Sequence, residues 1–179
     1  MNREDSWFTL YSGARFYPFR DNLQASIDIH DIATALSKLC RFNGHCRLFY
    51  SVAEHSVHCS KYVSPENALA ALLHDATEAY VGDLIRPIKR FMPDFEELEA
   101  RIWESIARKF GLPLDLPEEV HEADNSVLMA EARDLLYPVG ELKFSYLNAS
   151  PPPGLNVNDP LLPAQAQELF LTRFEELTR

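Results

Sequence analysis

Apolar residues recur along most of this chain at three- and four-residue intervals, the spacing of one face of an α-helix. Ile29, Ile32, Ala33, Leu36, Leu39 and Cys40 form the first stripe, with Asp28 ahead of it as N-cap. Arg41 and Phe42 follow directly, and Asn43-Gly44 breaks the helix. A second helix is expected over about 51–62. The third has a strong start: Ser64 as N-cap, Pro65 at the first position and Glu66 in the first turn. It should run to Gly82, with Pro87 preventing simple continuation. Phe95, Leu98, Ile102 and Ile106 mark a fourth helix from near Asp94, which Gly111 and Pro113 end. A fifth opens at Pro117-Glu118-Glu119, acids at the positive end of the helix dipole, with Val120, Ala123, Val127 and Ala130 inward. The last spans about 164–177, with Leu169, Phe170 and Phe174 inward.

Two stretches depart from this period. "WFTLYSGARFYPF" is rich in aromatics around Ser12-Gly13 and reads as a short hairpin. The segment 137–162 contains "SPPPG", through which helix cannot pass, and reads as a surface wrap or a lid. The predicted architecture is one all-α domain: an aromatic arm over 7–20, a helical core over 28–136, the proline-rich connection over 137–162 and a C-terminal helix over 163–179.

A length of 179 residues suits a single domain with a sizeable core. The formal net charge of -10 argues against non-specific nucleic-acid binding, which needs a cationic surface. It leaves room for a small anionic substrate, because a bound divalent cation supplies a local positive charge. Three cysteines, Cys40, Cys46 and Cys59, with no C-x-x-C pair, argue against a disulfide framework or a cysteine-rich zinc site. The first residues show no signal-peptide pattern, and no apolar run approaches the roughly 20 residues of a membrane helix. A reducing, cytoplasmic setting is expected, with no membrane partner.

The stretch that changes this ordinary picture is "ALLHDATEAYVGD", where His74, Asp75 and Glu78 interrupt an apolar helix. His74 and Glu78 are four residues apart and should share a face. Asp75 is turned by about 100° from His74. In the second helix, "YSVAEHSVH" places His55 beside Val52 and Cys59; in the fifth, "EVHEADNSV" places Asp124 between Ala123 and Val127. A carboxylate at a core-facing position is costly unless paired or bound to a cation. His55, His74, Asp75 and Asp124 together would make a nitrogen/oxygen site suited to zinc, manganese, cobalt, iron, nickel or magnesium. Alone, each also reads as an ordinary satisfied core histidine or paired carboxylate. His45, His58 and His121 read as structural, and Tyr80 as core.

The order of a histidine, then His-Asp, then a distant Asp resembles the HD superfamily of metal-dependent phosphohydrolases. "SVAEHSVH", "ALLHDATEAYVGDLIRPIK" and "EADNSVLMAEARDLL" are similar to its small YfbR/YfdR-type nucleotidases in order, spacing and flanks. "DIATALSKLCRFNGH" and "YSGARFY" look most like the YfdR-type branch. The resemblance covers about residues 7–136. It implies an HD-domain helical bundle around one divalent ion, with His55, His74, Asp75 and Asp124 as ligands. It makes Glu78 a proton-transfer group and Asp83 a second carboxylate that orients the phosphate or sugar. It places Lys89 and Arg41 against phosphate and Phe42 against sugar or base. The implied substrate is a deoxynucleotide, a 5'-monophosphate first and a triphosphate such as dATP as the nearest alternative. Gly44 stands where dATP-specialised relatives carry a bulkier residue, which argues against strict adenine selectivity. Small members of the superfamily are commonly homo-oligomers. A non-catalytic metal- or nucleotide-binding module is the competing class; it would be marked by loss of Glu78 or of a ligand, and none is lost.

Overall fold

A computed structural model of the chain describes residues 2–21, 23–137 and 149–179. These form an all-α architecture with a small two-stranded sheet. Strands β1 (Phe8–Thr9) and β2 (Arg15–Phe16) pair antiparallel, Phe8 opposite Phe16. The helices are α1 (Ile29–Lys38), α2 (Val52–Cys59), α3 (Ala68–Leu73), α4 (Glu78–Val81), α5 (Arg86–Lys89), α6 (Pro93–Phe110), α7 (Glu118–Leu135) and α8 (Pro163–Thr178). None is long and apolar enough to cross a membrane.

Side-chain caps set the first two helices, Asp28 as the sequence predicts and Ser51 as the structure adds. The Asp28 carboxylate accepts from the backbone N–H of His30 and Asp31, and the Ser51 hydroxyl accepts from that of Glu54. The hairpin is fastened to this frame at two points. Ser12 donates its N–H and its hydroxyl to the Asp31 carboxylate at 2.7 and 2.8 Å. Phe16, fully buried, stacks on Tyr80 with ring centroids 4.5 Å apart, so Tyr80 is a core residue.

Helix α8 closes the bundle against α1, α2 and α3, with Phe170 fully buried. The apolar residues fall into two clusters, and α3 belongs to both: Leu72 and Leu73 face the first, Ala70 and Ala71 the second. His74 and Asp75 therefore follow the most enclosed turn of the bundle. From 149 to 162 the proline-rich connection is a wrap. Leu155 and Val157 are buried, the Val157 N–H donates to Asp134, and the Leu161 N–H donates to Glu54 at 2.9 Å. The expectation for 138–148 lies outside the described residues.

Two expectations for the third helix are corrected. It does not run unbroken to Gly82: Pro65–Asn67 is a 3-10 turn, α3 follows, and residues 74–77 separate α3 from α4. Ser64 opens the segment without capping it, because its hydroxyl has a better partner. Glu119, at the start of α7, accepts from the Ser64 N–H and hydroxyl, each at 2.7 Å, and from the Asn67 side-chain amide at 2.8 Å. This clip sets α3 against α7.

Those three donors hold the Glu119 carboxyl below its ordinary range. A depressed folded-state value stabilises the fold above the unfolded-state value and loses that stabilisation as pH falls through the folded one. Glu119→Gln is therefore expected to lower the thermal midpoint at neutral pH, and the gap from the wild type to close as pH drops below about 4. Thermal melts across pH 3 to 7 check this; a gap that stays constant overturns it.

Candidate metal centre

Three helices and one turn converge on a single group of ionisable side chains. His55 and Cys59 come from α2, His74 and Asp75 from the end of α3, Asp124 and Glu131 from α7, and Arg41 from the turn after α1. His55, Cys59, His74 and Asp124 each offer a ligand atom within 4.8 Å of the others. Asp75 Oδ2 lies 3.2 Å from His74 Nε2 and 3.6 Å from His55 Nε2, and Asp124 Oδ1 lies 3.3 Å from His55 Nε2. Two ligands about 2.1 Å from one ion, at about 90–110° to each other, sit roughly 3.0–3.4 Å apart. The spacing fits a shared ion.

The imidazoles are oriented to match. His74 Nδ1 donates to the Ala71 carbonyl at 2.8 Å, and His55 Nδ1 donates to Glu131 Oε1 at 2.6 Å. Each histidine thus presents Nε2 to the group, as ligating histidines do when their other nitrogen is held by an acceptor. His74 Nε2 is buried without a hydrogen-bond partner: Asp75 Oδ2 is close to it but not aligned with it. A divalent ion satisfies that atom, and the residues present fit one.

Opposed effects set the charges here. Burial lowers both imidazoles, and Arg41 adds to it at His55, but Cys59, Glu131 and Asp124 at His55 and Asp75 at His74 outweigh it and hold both high. Burial raises Asp75 and Asp124, yet the histidines outweigh it and hold both carboxylates low. Ligation at Nε2 must displace a proton, so affinity for a cation falls as pH falls. Burial pushes the Cys59 thiol up to about 11, and its Sγ lies 3.4 Å from His55 Nε2, inside the same group.

Between α3 and α4 the backbone tightens: Ala76, Glu78, Ala79 and Tyr80 each donate to the carbonyl three residues back, before Val81 and Gly82 return to four-residue bonds. Glu78 opens α4 one turn beyond Asp75. Its Oε2 is buried without a partner, and burial with repulsion from Asp75 and Asp83 pushes the carboxyl well up. Gly82, at φ 82°, ends α4 and turns the chain to Asp83, whose half-buried carboxyl is also raised, first by burial.

The residues read as substrate contacts are placed less simply. Arg41 is buried, its Nε donating to Glu131 Oε2 at 3.1 Å and its Nη1 3.5 Å from Asp75 Oδ2. Phe42, half-buried, has φ 58° and Asn43 φ 51°, left-handed values that a bulky side chain adopts only under constraint. Lys89 pairs with Glu99 at 2.6 Å, so its charge is already matched. The cation touching the group from α5 is instead Arg86, whose guanidinium contacts Asp124 and donates to Asn125 at 2.8 Å.

Sequence reasoning missed Glu131, Cys59, Arg86 and Glu99. The signal for Glu131 was present: it stands seven residues after Asp124, two helical turns on the same inward face.

Fold and site together define a helical protein with a buried His/Asp group able to hold a divalent ion. No family model matches the chain. It is 41% identical over 173 residues to the Escherichia coli (strain K12) protein named "Uncharacterized protein YfdR", covering 97% of this chain and 96% of that one. It is 35% identical over 138 residues to an uncharacterized protein of Rhodobacter capsulatus, covering 72% of this chain and 70% of the relative. The chain belongs to the YfdR family.

Glu131 fixes two groups at once, which separates two variants. Glu131→Gln keeps the volume and is expected to weaken divalent-metal affinity by about 10- to 100-fold, measured by calorimetric titration. Glu131→Ala leaves Arg41 buried without its carboxylate and is expected to cost about 3–5 kcal/mol in denaturant unfolding. Unchanged affinity in the first variant would remove Glu131 from the metal centre.

Proposed function

We propose that this chain is a divalent-metal-dependent phosphohydrolase of the HD superfamily that acts on deoxynucleotides. The leading substrate is a 5'-monophosphate, and a deoxynucleoside triphosphate is the nearest alternative. The observation that carries the reading is the convergence of two imidazole Nε2 atoms from separate helices on Asp75 and Asp124, each ring held at Nδ1 by an acceptor. The motif resemblance supplies the reaction class.

His55, His74, Asp75 and Asp124 would hold the ion, which when bound lowers the pKa of water and polarises a phosphoryl oxygen. The chain's own groups account for the rest. Glu78, its carboxyl pushed up by burial and by Asp75 and Asp83, is the proton-transfer group of this reading. Arg41 gives a fixed positive charge next to Asp75, where phosphate charge must be matched. Arg86, about half exposed beside Asp124, is a second cation at the open side of the group. Asp83 and Phe42 flank the same region and orient the sugar and base in this reading.

Two variants test it against a panel of mono- and triphosphates of each base, run with several divalent metals. His74→Ala with Asp75→Ala is expected to abolish both bound metal and phosphate release. Glu78→Gln is expected to keep the metal and to slow release by about 10²- to 10⁴-fold. Phosphate release unchanged in the double variant overturns the proposal. Metal and nucleotide binding without release by the wild type would make the chain a binding module instead.

A further inference from the structure

Beside the metal centre, and unused by the chemistry above, two thiols are in contact. Cys40 and Cys46 are both partly exposed, and their Sγ atoms lie 3.6 Å apart. The backbone explains why residues six apart meet. Phe42, Asn43 and Gly44 have φ of 58°, 51° and 77°, so the chain curls left-handed and returns on itself. Both ends of the curl are anchored. Cys40 bridges to Ser51, the Arg41 N–H donates to the Tyr50 carbonyl at 2.9 Å, and the Arg47 N–H donates to the Leu135 carbonyl at 2.8 Å. Cys46 also sets its Sγ 3.8 Å from the Arg41 carbonyl, its thiol donating there. Bond formation needs the sulfurs to close to about 2.05 Å, a movement of roughly 1.5 Å within one turn.

We propose that Cys40 and Cys46 are a reversible thiol–disulfide pair that staples the turn carrying Arg41, with a low-molecular-weight disulfide as oxidant. The thiolate of Cys40 attacks one sulfur of that disulfide and forms a mixed disulfide, expelling the other half as a thiolate. The Cys46 thiolate then attacks the Cys40 sulfur, closes the ring and expels the second half. Two protein thiols and one small disulfide become one protein disulfide and two small thiols, which keep the two protons. The order follows from the setting: burial and the Cys40 thiol push Cys46 up to about 11, which disfavours it as the first attacker, and the part due to the Cys40 thiol is gone once Cys40 carries the mixed disulfide. Cys59, fully buried inside the metal centre, is the internal control. The consequence for catalysis rests on the phosphohydrolase reading. Arg41 sits between the two cysteines and binds Glu131 and Asp75, so stapling displaces its guanidinium and raises KM for a phosphate ester without loss of metal.

The full chain is treated with oxidised glutathione, capped with iodoacetamide and digested with trypsin without reduction. Cleavage after Lys38, Arg41 and Arg47 separates the two cysteines. The expected product is peptide 39–41 joined to peptide 42–47, two hydrogens lighter than their sum and released by dithiothreitol. Capped free thiols at both positions, glutathione adducts that never close, or a pairing with Cys59 would each overturn the staple. The mass result is independent of activity, so it stands or falls apart from the phosphohydrolase reading. With activity in hand, a KM unchanged by oxidation overturns the coupling to Arg41.

Discussion

His55 and Glu131 meet at 2.6 Å with neither side chain exposed to solvent, and the geometry of the whole centre hangs on that contact. A buried carboxylate costs several kcal/mol unless it is paired and hydrogen-bonded. Glu131 is paired twice, through Oε1 to His55 and through Oε2 to Arg41. It therefore fixes which nitrogen of His55 faces Asp75 and Asp124, and it moors the turn that delivers Arg41. Burial tends to raise it, but Arg41 and His55 outweigh that and hold it ionised. One carboxylate on α7 thus ties α2 to a left-handed turn whose backbone would otherwise relax.

The strain in that turn has the same origin. A left-handed Phe42 costs of order 1–3 kcal/mol and persists only where the surroundings over-determine it, whereas Asn43 enters that region readily. The surroundings here are the Arg41 ion pairs, the Cys40–Ser51 bridge and the bond from Arg47 to Leu135. The turn is held from both ends and by the charge it presents, which makes Arg41 a rigid group instead of a mobile surface cation.

Much of this was legible in the chain. The cap at Asp28, and the stripes of α1, α6, α7 and α8, are local signals, and local signals transfer directly to structure. His55, His74, Asp75 and Asp124 were legible as polar residues at apolar positions; His55, His74 and Asp124 fall in one group with Cys59, and Asp75 lies beside both imidazoles. What was not legible depends on partners distant in sequence. Ser64 looks like a cap until Glu119, 55 residues away, takes its hydroxyl. Lys89 looks free until Glu99 reaches it. The break at 74–77 follows from no local breaker, since "HDATEA" contains neither Gly nor Pro, and α3 just before it packs into both apolar clusters.

Two carboxylates of this segment are driven in opposite directions. Asp75 and Glu78 stand three residues apart, and the Glu78 N–H donates to the Asp75 carbonyl at 3.0 Å. Burial raises Asp75, but the imidazoles outweigh it and hold it low; burial, Asp75 and Asp83 raise Glu78 and outweigh the pull of Arg41 and His55. Pairs of titratable groups driven apart by their surroundings are how one site holds a ligand and an acid together. Burial weighs on both carboxylates, so their neighbours decide between them: imidazoles draw Asp75 down, and the carboxylates of Asp75 and Asp83 push Glu78 further up.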